Sequence, residues 1–108
     1  MQDVKRVEIV IGKSHARLVR HVLHKIGVPG MTVFETLEGE GDRGRRDGGD
    51  VSDAMTNIYI ITTCEPEQVD QIARHLAPLL DTYGGLCLLS DAQILRNAHS
   101  AQEHRRST

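Results

Sequence analysis

The sequence predicts an α+β domain in which two helices cover one face of a four-stranded sheet. Two observations lead to this prediction. Segments with strand periodicity and helix periodicity follow one another in the order β-α-β-β-α-β. The 108-residue chain is 39% hydrophobic and 26% charged, which is typical of one globular domain with a modest core.

The first strand is predicted at residues 4–11, where apolar side chains alternate with polar ones. The period then changes to that of a helix from Lys13 to Ile26. Ser14 is predicted to cap the start of this helix, and Gly27 to end it. Its apolar face is predicted to carry Leu18, Val19, Val22, Leu23 and Ile26.

The next two strands are predicted on either side of a long polar segment. Val28-Pro29-Gly30 is a turn signal, and residues 31–37 are β-prone and half polar. Residues 57–63 are rich in β-branched and aromatic side chains, which favour a strand. Residues 38–54 between them form a predicted long, flexible loop.

The second helix is predicted to begin at Pro66, since proline suits the first helical turn. Pro78 is predicted to kink or shorten it, and Gly84-Gly85 to end it. Residues 86–89 follow as a short fourth strand. Residues 1–96 are predicted to form the domain and 97–108 a flexible tail. The apolar stripe of the helix is predicted to be Val69, Ile72, Ala73, Leu76 and Leu80.

This order of elements is that of a ferredoxin-like βαββαβ sandwich. Two helices cover only one face of such a sheet, yet strands 3 and 4 are apolar on both faces. In strand 3, Ile58 and Ile60 oppose Tyr59 and Ile61. We therefore expect the other face to pack against copies of the same chain.

The 38–54 loop, EGEGDRGRRDGGDVSDA, contains five of the chain's ten glycines and almost no apolar side chain. Such long loops are usually functional or disordered. Glycine-rich backbone can present several N–H groups to an anion, and arginine adds a charged fork. The residues predicted to contact an anion or a partner are Glu40, Asp42, Arg43, Gly44, Arg45 and Arg46.

Composition argues against several classes of function. A net charge of −2 and only three aromatic residues disfavour nucleic-acid binding. No apolar run is long enough to span a membrane, and the N-terminus lacks a signal-peptide pattern, so a cytoplasmic protein is expected. The spacing of the six histidines predicts surface residues rather than a metal site. No nucleophile–base set is visible, so no enzymatic activity is predicted.

One segment resembles a known family. Residues 27–33, GVPGMTV, lie between a helix and a strand and resemble the segment that leads into strand 2 of the PII signal-transduction proteins. Residues 5–12, KRVEIVIG, resemble their first strand. The resemblance implies a homotrimer of ferredoxin-like subunits that binds adenine nucleotides in clefts between subunits. It also implies that the 38–54 loop corresponds to the family's T-loop.

The resemblance further implies roles for individual residues. Gly39 and Gly41 match glycines at the base of the T-loop, and Gly84 and Gly85 match the B-loop before strand 4. Arg96 matches a phosphate-facing arginine. The residues expected near the adenine are Gly30, Met31, Thr32, Thr62 and Cys64.

Departures from the PII pattern narrow the expectation. No lysine follows Gly84-Gly85, so ADP or AMP is expected as the effector rather than ATP, and cyclic AMP remains an alternative. The short B-loop and the glycine-rich loop resemble the carboxysome-associated PII-like proteins most closely. That resemblance implies bicarbonate as a second ligand and a transporter or carboxysome-related protein as target. It also implies a cytoplasmic or carboxysome-associated location, and no metal is expected.

Three alternatives stay open at this point. A nitrogen-type PII regulator would sense ATP and 2-oxoglutarate, and the short B-loop argues against it. A trimeric ferredoxin-like metal-tolerance protein, or a small enzyme on the same fold, would belong to a different class. An oligomerisation module whose loop has no specific role is the third.

Overall fold

The computed structural model describes residues 1–36 and 56–95 of the chain. The predictions for residues 37–55 and 96–108 therefore lie outside the described residues. The elements are β1 (Gln2–Gly12), α1 (Lys13–Ile26), β2 (Met31–Thr36), β3 (Asn57–Cys64), a 3₁₀ turn (Pro66–Gln68), α2 (Val69–Tyr83) and β4 (Leu86–Ile94). The predicted order is confirmed.

The four strands form one sheet in the order β2-β3-β1-β4, and every neighbouring pair is antiparallel. Both helices lie on one face of this sheet, where they cover the alternate side chains of the central strands β1 and β3. Val7, Ile9 and Ile60 have no exposed surface there, and Leu23 of α1 is equally buried. The chain therefore has the predicted ferredoxin-like α+β fold.

The start of α1 differs from the prediction. Gly12 occupies the N-cap position, and no side chain caps the helix, so the prediction for Ser14 is wrong. The Lys13 N–H instead donates to the carbonyl of Thr56, at a distance of 2.9 Å. A backbone carbonyl just before β3 thus satisfies one of the donors at the start of the helix. Gly27 ends the helix with φ 93°, as predicted.

The apolar faces of the helices are narrower than predicted. Leu18 of α1 is 44% exposed, and Ala73 of α2 is exposed as well. Both residues lie at the edge of the apolar face of their helix, where side chains point away from the sheet.

Pro78 was predicted to kink or shorten α2, and the shortening does not occur, because the helix continues to Tyr83 and ends at Gly84 as predicted. Pro78 lies on the exposed side of α2, as does Arg74 one turn earlier. The carbonyl of Arg74, which lacks a partner N–H at Pro78, can therefore bond to water.

Strand β4 extends well beyond the predicted residues 86–89. Its second half, Ser90 to Ile94, pairs with Gln2 to Arg6 of β1. The Lys5 ammonium contacts the Asp91 carboxylate across this pairing. Cross-strand polar pairs thus extend a strand whose apolar pattern ends at Leu89.

Candidate functional site

The segment that links α1 to β2 is held by a buried hydroxyl from β3. The Thr62 hydroxyl donates a hydrogen bond to the carbonyl of Gly30. Thr62 is only 5% exposed and pairs with Met31 in the sheet, while Thr32 pairs with Ile61. The structure therefore brings Gly30, Met31, Thr32 and Thr62 together at one end of the β2–β3 pair.

The same segment is fixed from the side of α2 by a residue that the sequence analysis did not identify. The Gln68 amide donates to the carbonyl of Ile26, with 3.2 Å between nitrogen and oxygen. The side-chain oxygen of Gln68 accepts a hydrogen bond from the Glu65 N–H, with 2.8 Å between nitrogen and oxygen. The spacing of Glu65 and Gln68 around Pro66 forms a capping box, and this pattern was visible in the sequence. The contact to Ile26 was not, since 42 residues separate the two.

Cys64 ends β3 beside this segment, with its side chain facing the helices. It is 2% exposed, and burial raises the pKa of its thiol, as does the nearby Glu65 carboxylate. A thiol that stays protonated is a poor nucleophile and a poor metal ligand. Cys64 therefore contributes an apolar wall rather than a reactive group.

Gly84 and Gly85 form a tight turn between α2 and β4. Both have positive φ, 81° and 118°. A Cβ on Gly85 would lie 2.7 Å from the carbonyl oxygen of Val10 and 3.1 Å from the Leu80 side chain. Only glycine permits this approach, so the turn is fixed against the end of β1.

The two groups of predicted nucleotide contacts lie at diagonally opposite corners of the sheet. Thr62 pairs with Val7, whereas Leu86, directly after Gly85, pairs with Val10. Strands β2 and β4 are the two opposite edges, roughly 14 Å apart across the sheet at the usual strand spacing. A single ligand that contacts both corners therefore requires two copies of the chain.

Thr36 and Asn57, the strand ends on either side of the undescribed residues 37–55, lie at the same end of the sheet as Gly84 and Gly85. Thr36 pairs with Asn57, and Asn57 pairs with Gly12 at the end of β1. The predicted loop contacts Gly39, Glu40, Gly41, Asp42, Arg43, Gly44, Arg45 and Arg46 lie outside the described residues, and so does Arg96.

The sheet face that points away from the helices, which we call the open face, is apolar and exposed. Phe34 is 51% exposed, and Leu86 and Leu88 are each 50% exposed. Phe34 stacks on Tyr59, its partner in the β2–β3 pairing, with ring centroids 5.8 Å apart. Contiguous apolar patches of this kind mark surfaces that associate with another molecule.

The chain matches the family model described as "Nitrogen regulatory protein P-II" over residues 4–99. The match covers all of the described strands and helices except the first two residues of β1. The chain belongs to the P-II family. The predicted family resemblance is thereby confirmed, and the chain is a P-II-like regulatory protein.

Solved P-II-like structures share the fold. One is CPII from Thiomonas intermedia K12 bound to ADP, AMP and bicarbonate, with a TM-score of 0.77 and 25% identity over 87% of this chain and 90% of that one. CPII bound to ADP and bicarbonate aligns with a TM-score of 0.75 and 28% identity over the same shares. A putative PII-like signaling protein from Thermus thermophilus aligns with a TM-score of 0.72 and 20% identity, over 92% of this chain and 96% of that one. A comparison with curated protein sequences finds no match.

Two negative findings concern residues 1–36 and 56–95. No helix there has the length and apolarity needed to cross a membrane. No group of three or more His, Cys, Asp or Glu side chains in these ranges is arranged to hold a metal ion.

Proposed function

We propose that this P-II family member is a trimeric sensor that binds ADP or AMP in clefts between its subunits. Bicarbonate is the second ligand, at the base of the 38–54 loop. The ligands together change the loop's interaction with a protein target in inorganic-carbon metabolism, a transporter or a carboxysome-related protein. We further propose that it acts in the cytoplasm or in association with the carboxysome.

One observation carries the proposal. The Gly30–Thr32 corner and the Gly84–Gly85 corner lie at opposite edges and opposite ends of one sheet. Packing the open faces of neighbouring copies together brings the edge of one sheet towards the edge of the next. The two corners can then face each other across a seam between subunits, which explains how residues remote in one chain serve one ligand.

The chemistry of each corner fits one part of an adenine nucleotide. The Gly30 to Thr32 backbone, held in place by the Thr62 hydroxyl, offers directional polar groups for a purine ring, and the half-buried Met31 side chain adds an apolar contact. Cys64 supports this corner from the core and is too buried to contact a ligand directly. At the Gly84–Gly85 turn the Gly84 N–H donates to the Leu80 carbonyl, and the Gly85 N–H, with no side chain in front of it, is the donor proposed for a phosphate oxygen. No lysine follows the turn, so we favour a diphosphate or monophosphate over a triphosphate.

The CPII structures support the same ligands, since they are bound to ADP, AMP and bicarbonate. At 25–28% identity, the transfer of these ligands to this chain is part of the proposal. Bicarbonate is a small anion that glycine-rich backbone and arginine can bind. Gly39 and Gly41 are proposed to contact the nucleotide. The residues proposed for bicarbonate or partner contact are Glu40, Asp42, Arg43, Gly44, Arg45 and Arg46.

Calorimetric titration tests the nucleotide site directly. ADP and AMP are expected to bind to the unmodified chain, and bicarbonate to change the affinity or the heat of binding. Thr62→Val removes the hydroxyl that holds Gly30, and we expect ADP affinity to fall about tenfold, the equivalent of one lost hydrogen bond in a buried site. Thr82→Val, an equivalent change on the exposed side of α2, is the control and should leave affinity unchanged.

Absence of binding heat for both nucleotides would contradict the proposal. A preference for ATP with Mg²⁺ and 2-oxoglutarate would favour the nitrogen-type regulator instead. Limited trypsin digestion adds a test of the loop, because Arg43, Arg45 and Arg46 are cleavage sites. Cleavage there is expected to slow with ADP and bicarbonate together, and equal rates in all conditions would contradict a loop response.

A further inference from the structure

A groove of about 690 Å³ lies between α1 and the edge strand β2, on the helix-covered side of the sheet. We call it the α1–β2 groove. One wall is formed by α1 and contributes Lys13, Arg17 and Arg20 at one-turn intervals. His21 and His24 continue the same wall towards the end of the helix. None of these residues is used by the proposed nucleotide site.

The groove has an excess of positive charge. The Lys13 ammonium lies 3.4 Å from the Glu35 carboxylate, which is the groove's one acidic side chain among the described residues. Arg17 and Arg20 are exposed, and neither has an ion-pair partner within residues 1–36 and 56–95. Within the described part of the chain, no carboxylate competes with the anionic groups of a ligand for these two guanidinium groups.

The floor of the groove is apolar. It is formed by Ala16 and Ile58, each 6% exposed, and by the half-buried Val33 of β2. A free phosphate or a nucleic-acid backbone has no apolar group to place on such a floor. A peptide that alternates acidic and apolar side chains can place its carboxylates on the arginines and its apolar side chains on the floor.

The length of the groove fits a short peptide. From Lys13 to His24 the helix rises through about 16 Å, which corresponds to about five residues of an extended chain.

We propose that the α1–β2 groove is a docking site for an acidic, extended peptide segment of a partner protein. The site is separate from the nucleotide site, so a chain that fails to bind ADP can still bind the peptide. Recognition combines the charges of Arg17 and Arg20 with apolar contacts to Val33 and Ile58.

Fluorescence anisotropy with a labelled hexapeptide, Asp-Leu-Glu-Val-Asp-Leu, tests the proposal on the full chain. The peptide is expected to bind, and binding should weaken as salt increases, since exposed charges are screened. The double variant Arg17→Glu/Arg20→Glu should weaken binding by about tenfold or more, because it replaces attraction by repulsion. Arg74→Glu, a charge reversal at an exposed position of α2, should leave binding unchanged.

Further variants and peptides distinguish specific docking from general attraction between charges. Arg17→Gln/Arg20→Gln is a milder pair in case the reversed charges lower stability, and it should weaken binding in the same direction. ADP affinity of every variant should equal that of the unmodified chain. Equal binding of a peptide with lysine in place of the acidic residues would overturn the proposal. So would equal binding of an Asp-Gly repeat, an equal loss in the Arg74 variant, or displacement of the peptide by tripolyphosphate or duplex DNA at lower concentration than by unlabelled peptide.

Discussion

The imidazole of His15 stacks on the ring of Tyr83, with centroids 4.0 Å apart and 18° between the planes. His15 lies in the first turn of α1, and Tyr83 is the last residue of α2. The stack therefore joins the two helices directly before Gly84, at the corner proposed to bind phosphate groups.

Replacing Tyr83 by leucine is expected to loosen this corner. Loss of an aromatic pair costs about 1 kcal/mol beyond its buried area, so the free energy of unfolding should fall by roughly that amount or more. Amide hydrogen exchange at Gly85 and Leu86 should accelerate more than exchange in β3. Tyr83→Phe retains the ring and serves as the control, and equal effects of the two variants would contradict a role for stacking.

Gly85→Ala should destabilise the chain more than Gly27→Ala. Both glycines have positive φ, which costs an alanine about 1–2 kcal/mol. At Gly85 the added methyl would also lie 2.7 Å from the backbone oxygen of Val10, whereas nothing lies within 4 Å at Gly27. We expect roughly 3 kcal/mol or more at Gly85, measured by urea unfolding. If both variants lose a similar free energy of unfolding, the close contact between the added methyl group and Val10 must be relieved by a small movement that costs no stability.

Leu88→Asp on the open face is expected to dissociate the proposed trimer. Each apolar side chain buried in an interface contributes about 1.5–3 kcal/mol, and a buried carboxylate adds a penalty. Leu18→Asp is the matched control, since Leu18 is similarly exposed but lies on α1. Sedimentation velocity should give a single protomer for the first variant and the parent assembly for the second. If the unmodified chain sediments as a monomer, the proposal of nucleotide clefts between subunits is wrong.

The two cysteines are expected to react slowly with iodoacetamide at pH 8. Burial raises the pKa of both Cys64 and Cys87, so each thiolate is scarcer than in an unfolded chain. The direction of these pKa shifts also predicts how the stability of the fold depends on pH. The unfolded chain releases these protons first as pH rises past the ordinary thiol pKa, so the free energy of unfolding should decline above that point. Mass spectrometry of native and urea-unfolded samples measures the rates, and equal rates would contradict the burial argument.

The sequence predicted the four strands and two α-helices of the described residues, because the period of the apolar side chains changes at Gly12, at Gly27 and around Pro66. Two of the errors came from contacts between remote segments. The helix α1 has Gly12 rather than Ser14 as its N-cap, where the Thr56 carbonyl accepts from the Lys13 N–H, and pairing with Lys5 extends β4 to polar residues beyond Leu89.

In the candidate site, too, local features were predictable from the sequence and contacts between remote segments were not. The GVPGMTV motif identified the Gly30–Thr32 corner and the family, since a local motif survives in a single sequence. The Gln68 contact to Ile26 and the cationic wall beside β2 were not predicted. Both depend on which helix lies beside which strand, and periodicity alone does not specify that arrangement.

Thr36 and Asn57 pair with each other at the ends of β2 and β3, so the chain leaves the sheet and returns to it at two adjacent positions. The entropy of such a closure changes only slowly with the number of residues enclosed. Foreign stretches of different length or composition should therefore be graftable between these two positions while the body of the molecule folds unchanged. Exchanging this one segment would then direct the same fold to other binding partners.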